Sequence, residues 1–244
     1  MFKFYLVGGT VRDEILGLKS KDIDYAVVPS DELLGRIKSA QDMFTMLVDY
    51  LKNQGFTIFL ITPDCYTIRA KYPVGHAIEG MVADFVMSRK EVGYIENTRT
   101  PIIEPGTLYD DLLRRDFTVN ALAKDDEGNI IDYFNGLKDL ENKELRTPMD
   151  CNITFNDDPL RILRAIRFHI TKGFRIPDEM FWKIYVYPYD TKMHVVSTER
   201  IREELYKCFK FDTLKTLEVL DGFVILRNYV FRNNILWLKP TNEQ

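Results

Sequence analysis

The chain has 244 residues, 45% of them hydrophobic, and a formal net charge of −4. That supplies enough apolar material for one large domain or two modest ones, while the acidic balance argues against a protein that simply coats nucleic acid. No run of about 18 apolar residues occurs, so no transmembrane helix or membrane role is expected; three isolated cysteines (Cys65, Cys151 and Cys208) without a CxxC pair argue against disulfides and structural zinc, leaving a cytoplasmic protein as the default.

Phe2–Val7 is β-rich and reads as a first strand; its apolar run stops at Gly8-Gly9, too soon for a signal peptide. Thr10 can cap a short helix to about Leu16, which Gly17 ends. Ile23–Val28 predicts a second strand, closed by Pro29-Ser30. From Asp31, the apolar residues Leu33, Ile37, Ala40, Phe44, Leu47 and Leu51 recur at spacings of three and four, predicting one long helix to about Asn53. Phe56–Ile61 and Cys65–Ala70 read as strands around a Thr62-Pro63-Asp64 turn, and Met81–Met87 as another. Residues 88–106 lack periodicity and are expected to be a loop. Leu108–Ala123 is expected to be helical at its centre, and Ile130–Tyr133 to form a short strand after a turn at Asp126–Asn129. Beyond about Leu145 the pattern is helical, with helices over Pro159–Ile170, Glu179–Tyr185 and Ser197–Phe209. Charge divides along the same line. Residues 1–150 hold 18 basic and 25 acidic side chains, residues 151–244 hold 15 and 12, and Arg161–Arg175 holds five basic residues and no acidic one. An acidic half suits metals and a basic half suits phosphates, although charge alone leaves chance asymmetry open.

Asp22 and Asp24 flank Ile23 at the start of the second strand. Residues two apart in a strand share a face, so the two carboxylates stand side by side and repel unless a cation lies between them. Mg2+, a hard ion that prefers oxygen, suits such a pair. A bare DxD is more often a solvated strand start, but here Gly8-Gly9 opens a helix just upstream, a place where a phosphate can approach backbone N–H groups, with Arg12 in the first turn. Asp84, within a strand, is a third carboxylate, and a neighbouring metal would relieve the cost of burying it. Asp158-Pro159 reads locally as a helix N-cap followed by proline at the first helical position, with Arg161 three residues on and facing the same way.

Leu6-Val7-Gly8-Gly9-Thr10-Val11-Arg12-Asp13 followed by Asp22-x-Asp24 resembles the opening motif of the bacterial and eukaryotic class of tRNA nucleotidyltransferases, the CCA-adding enzymes, and of their poly(A) polymerase relatives in the polymerase-β-like superfamily. The similarity recurs in order at Arg114–Leu122, Asp157–Arg164 and Glu199–Leu205. The resemblance implies an α+β fold: a nucleotidyltransferase head with a mixed sheet over residues 1–145, a helical neck over 146–210, and a short C-terminal remnant over 211–244. It implies transfer of CMP and AMP from CTP and ATP to the 3′ acceptor end of tRNA, with Asp22, Asp24 and Asp84 catalytic and Asp22 and Asp24 holding Mg2+. Gly8, Gly9, Arg12, Arg115, Asp116, Asn120, Asp158, Arg161 and Arg164 would bind the nucleotide, Asp116 near the ribose hydroxyls and Arg164 at the triphosphate.

Base choice follows from hydrogen-bonding capacity. Asp158 only accepts and Arg161 only donates. Cytosine and adenine each present an amino group beside an unprotonated ring nitrogen, whereas guanine and uracil present mismatched groups. Asp157 stands where the family usually has Glu, which puts that position's supporting role in doubt. Members of this class usually continue into body and tail domains, so the chain reads as a minimal enzyme in which the apolar stretches of Phe211–Gln244 pack on the neck or form a homodimer contact. Poly(A) addition, CC-only or A-only addition, and a non-catalytic RNA-binding protein remain as alternatives.

Overall fold

The computed structural model describes residues 1–19, 23–36, 39–94, 101–232 and 235–236. They fall into two compact units, one formed by Met1–Gly93 with Pro101–Leu140 and the other chiefly by the chain from Glu141 onward.

The first unit is α+β. In chain order it contains β1 (Phe2–Val7), α1 (Gly9–Ile15), β2 (Ile23–Pro29), α2 (Asp31–Arg36), α3 (Ala40–Asn53), β3 (Thr57–Thr62), β4 (Thr67–Lys71), β5 (Val82–Met87), β6 (Arg89–Tyr94), β7 (Pro101–Pro105), α4 (Leu108–Leu113), β8 (Leu122–Lys124), β9 (Ile130–Asp132) and α5 (Gly136–Glu141). Seven strands form one mixed sheet in the order β3-β4-β5-β2-β1-β8-β9. The β2–β5 pair is parallel and its neighbours are antiparallel. Alternation along β2 sets the faces. Ile23, Tyr25 and Val27 join the core that Leu33, Phe44, Leu47 and Leu51 of α2 and α3 build. Ala26 and Val28 belong to the opposite core, with Leu108 and Leu112 of α4. Asp24 therefore points to the α4 side. Phe44 and Leu47 are almost wholly buried, each stabilising the fold by roughly 1.5–3 kcal/mol.

The second unit is helical: α6 (Cys151–Asp157), α7 (Leu160–Lys172), α8 (Asp178–Tyr185), α9 (Tyr189–Lys192), α10 (Thr198–Phe211), α11 (Thr213–Gly222) and α12 (Val224–Arg232). Helix α7 buries Ile162, Leu163, Ala165 and Ile166 and packs along α10. It ends at Gly173, whose φ of 71° few other residues tolerate. Tyr187 and Tyr189 are core residues, their hydroxyls donating to the carbonyls of Phe155 and Ile184.

Three expectations need correction. The single helix from Asp31 to Asn53 is two, because the Ser39 side chain accepts from Asp42 N and starts α3 afresh; Ile37 lies outside the described residues. Residues 88–106 are not simply a loop, since β6 and β7 form a two-stranded sheet. Gly106 lets that ladder close: its N–H donates to Ser88 O at 3.0 Å, and a Cβ there would come within 2.5 Å of the Arg89 backbone. The helix expected at the centre of Leu108–Ala123 is a six-residue α4, opened by a Thr107–Asp110 capping box. Past it the chain extends at Phe117, makes a 3-10 turn over Thr118–Asn120 and enters β8. The sequence reading also passed over α5, α6 and α11 as separate helices.

Candidate active site

Asp24 and Asp84 are Cα partners on adjacent parallel strands, so their side chains share one sheet face. Asp22 lies outside the described residues. Asp24 N–H donates to Thr10 Oγ1 at 3.3 Å, tying the start of β2 to α1. Gly8 adopts φ 70° and ψ −134°, a conformation that favours glycine, and caps α1 through its own carbonyl, which accepts from Arg12 N at 3.1 Å. The site leaves no room for a side chain there: a Cβ on Gly8 would sit 2.6 Å from Arg115 Nη1 and 3.8 Å from Asp24 Oδ2. The Gly-Gly turn, Arg115 and Asp24 are thus brought together. Gly9 lies beside the Arg12 guanidinium.

Arg12, Asn120 and Asp116 form a buried relay. Arg12 Nη1 donates to Asn120 Oδ1, and Asn120 Nδ2 donates to Asp116 Oδ1 at 2.8 Å. The same Asp116 oxygen accepts from Phe117 N at 2.8 Å, which draws the backbone out of helix after α4. Arg12 also pairs with Asp13 at 2.7 Å. Apart from Asp22, these sequence-predicted residues lie in the first unit, with Gly8, Arg115 and Asp24 brought together there.

The residue that sequence reasoning missed is Asp111. It is wholly buried, and its carboxylate holds both Arg114 and Arg115, the latter at 3.0 Å. Burial alone would raise its pKa, but the charges and hydrogen bonds of Arg114 and Arg115 outweigh burial and hold it down at about 2. Arg114 is therefore no solvated charge; it also lies 3.8 Å from Glu91. The signal was present as an acidic residue three and four positions before two arginines, on the helix face that also carries Leu108 and Leu112. Asp139 was missed too. Buried in α5, it accepts from Thr118 Oγ1 at 2.7 Å and fixes the 3-10 turn that carries Asn120.

In the second unit, Asp158, Arg161 and Arg164 are half-buried along one face of α7. Asp158 Oδ1 accepts from Leu160 N at 3.0 Å, as its N-cap reading predicts, and Arg161 Nη1 donates to Thr154 O at 3.3 Å. Glu204 of α10 is buried and gathers three cations: Arg167 at 2.5 Å, Lys207 at 3.1 Å and Arg164 at 4.0 Å. Burial would raise the Glu204 pKa, but Arg167, Arg164 and Lys207 lower it overall. Arg167 locks α7 to α10. Arg175 pairs with Glu144 and remains largely exposed.

A divalent metal fits the described donors of the first unit. Asp24 and Asp84 supply only oxygen donors, in register on adjacent strands. Among the described residues, no three His, Cys, Asp or Glu side chains gather as a complete metal cluster.

A mixed seven-stranded sheet carrying paired aspartates beside a Gly-Gly helix start, with a helical region after it, defines an α+β nucleotidyltransferase-type head. The family model described as the poly A polymerase head domain matches residues 4–146, and the chain belongs to that family. It is 37% identical over 215 residues to the multifunctional CCA protein of Pseudoalteromonas atlantica, a match covering 86% of this chain and 46% of that protein. It also resembles a solved CCA-adding enzyme in complex with CTP, at TM-score 0.71 and 27% identity, covering 95% of this chain and 48% of the other. A tRNA nucleotidyltransferase complexed with a primer tRNA and an incoming ATP analogue matches at TM-score 0.67 and 27% identity, over 99% and 61% of the two chains. The chain spans about half the length of the curated relative it matches.

Proposed function

We propose that this chain transfers CMP and AMP from CTP and ATP to the 3′ end of tRNA without a nucleic-acid template, as a cytoplasmic enzyme. The observation that carries the reading is the pairing of Asp24 with Asp84 on one sheet face, with Gly8 and Arg115 beside Asp24. In the reaction the RNA 3′-hydroxyl oxygen bonds to the α-phosphorus, the α–β bridging bond breaks, and pyrophosphate leaves. Mg2+, held by Asp24 with Asp22 and assisted by Asp84, would supply charge neutralisation and a lowered hydroxyl pKa when bound. Arg115, anchored by Asp111, would meet the phosphates over the Gly8-Gly9 turn, with Gly9 and Arg12 beside it. Asp116, set by Asn120, would orient the ribose hydroxyls.

Asp158 and Arg161 would accept from and donate to the base edge shared by cytosine and adenine, with Arg164 nearer the phosphates. The Asp158 cap restrains that carboxylate on the α7 face, so a wrong base would meet a fixed acceptor rather than a mobile one. Incorporation from each nucleotide singly, on tRNAs ending before, within and after CC, tests the reading. Ordered addition of C, C and A supports it. An untemplated A-tract of open length from ATP alone assigns poly(A) polymerase activity instead, and addition limited to C or to A assigns a partial enzyme.

A further inference from the structure

Asp84 has a second neighbour. Strand β4 flanks β5 on the side away from β2, so Asp84 has Asp24 as its register partner on one side and Arg69 on the other. Arg69 Nε and Nη2 each donate to a different oxygen of Asp84, both at 2.6 Å. This fork-on-fork pairing fixes the plane of the carboxylate as well as its charge. The pair is open to solvent, with side-chain exposures of 46% and 21%, so it contributes little to stability. Its placement is informative on other grounds. A fixed cation sits in line with two carboxylates across three adjacent strands, and it engages both oxygens of the outer one. A divalent ion reaching Asp84 must share those oxygens with the guanidinium or displace it.

We propose that Arg69 is a positioning residue that holds the Asp84 carboxylate in plane and sets how tightly the aspartate pair takes a divalent cation, keeping the nucleotide-free site weak. The inference rests on the reading of Asp24, with Asp22, as holding the metal and of Asp84 as assisting at it. Arg69→Met keeps the apolar stem and removes the charge. Arg69→Lys keeps the charge and loses the fork.

The test is titration of the nucleotide-free protein with Mn2+, followed by electron paramagnetic resonance, for the wild type, Asp24→Asn, Arg69→Met and Arg69→Lys, with a melting curve for each. The expected result is a stoichiometric site in the wild type that Asp24→Asn loses and that Arg69→Met binds about threefold to tenfold more tightly, the size of one unit charge a few ångström away in a hydrated site. Arg69→Lys should bind Mn2+ within about twofold of wild type, yet lower kcat with little change in the KM for CTP, because its single ammonium cannot hold the carboxylate plane. A purely structural role would move the melting temperature and leave Mn2+ affinity alone. Equal or weaker Mn2+ binding by Arg69→Met overturns the inference while leaving the metal reading intact. A wild type without a stoichiometric site, or an Asp24→Asn that binds as well as wild type, overturns both. Should Arg69→Met fail to fold, Arg69→Gln carries the same expectation.

Discussion

At the scale of single residues, the site depends on charges that hold one another. Asp111 illustrates the cost. Its carboxyl titrates at about 2 in the folded protein, below its unfolded value. A depressed folded pKa contributes stability that is fully present above the unfolded value and is lost as pH falls through the folded one. Asp111 should therefore stabilise the fold by roughly 2 kcal/mol at neutral pH, a contribution that fades between about pH 4 and pH 2. Asp111→Asn should lower neutral-pH stability by about 3 kcal/mol or more, since two arginines lose a buried partner, and should flatten the acid limb of the stability profile. Urea titrations from pH 2 to pH 7 measure both, and an unchanged acid limb contradicts the assignment. Asp24→Asn is expected to behave oppositely, keeping the melting temperature within a few degrees while incorporation falls by about 10²-fold or more. Near-normal rates in a folded Asp24→Asn protein would remove Asp24 from the chemistry.

Among the elements, α7 joins packing to recognition. Its apolar face locks onto α10, towards which Arg164 also reaches Glu204 at 4.0 Å, while Asp158 and Arg161 share a half-buried face at its N-terminal end. Asp158→Ala should cost about 1 kcal/mol of stability through the lost cap, and should also reduce the ratio of CTP to UTP incorporation. A ratio that survives in both Asp158→Ala and Arg161→Ala contradicts base reading by this face. Much of this was legible in the sequence. The strand ends at Gly8-Gly9, the face of Asp24 and the Asp158 cap follow from local chemistry, because each depends on residues within a few positions. What was hidden depends on partners far along the chain. The β6–β7 ladder carries charges rather than alternating apolar residues and closes through Gly106. The early end of α4 depends on Asp116 and Asn120, whose bonds compete with helix. Arg69 sits 15 residues from Asp84, and only the β4–β5 register brings them together.

For the molecule as a whole, charge is the property that bears on RNA. The chain is acidic overall at −4, yet residues 151–244 carry 15 basic against 12 acidic side chains. Arg167 is committed to Glu204 and, on the proposed reading, Arg161 meets the base, so within Arg161–Arg175 the arginines that would meet phosphate are Arg164, 4.0 Å from Glu204, and Arg175, the largely exposed partner of Glu144. About two neutralised phosphates predict that affinity for the tRNA acceptor end falls roughly 7- to 12-fold between about 50 and 200 mM salt. A flat salt dependence in filter-binding or anisotropy titrations would contradict phosphate contact by this face. The central claim is narrower still: that protein side chains, without a template strand, choose the nucleotide added to tRNA. Its most direct measurement is sequencing of products after the protein is incubated with tRNAs lacking CCA, ending in C and ending in CC, each with a single nucleoside triphosphate. The account predicts C onto the first two, A onto the third, and nothing from GTP or UTP; addition of all four nucleotides without regard to the existing 3′ end would contradict it.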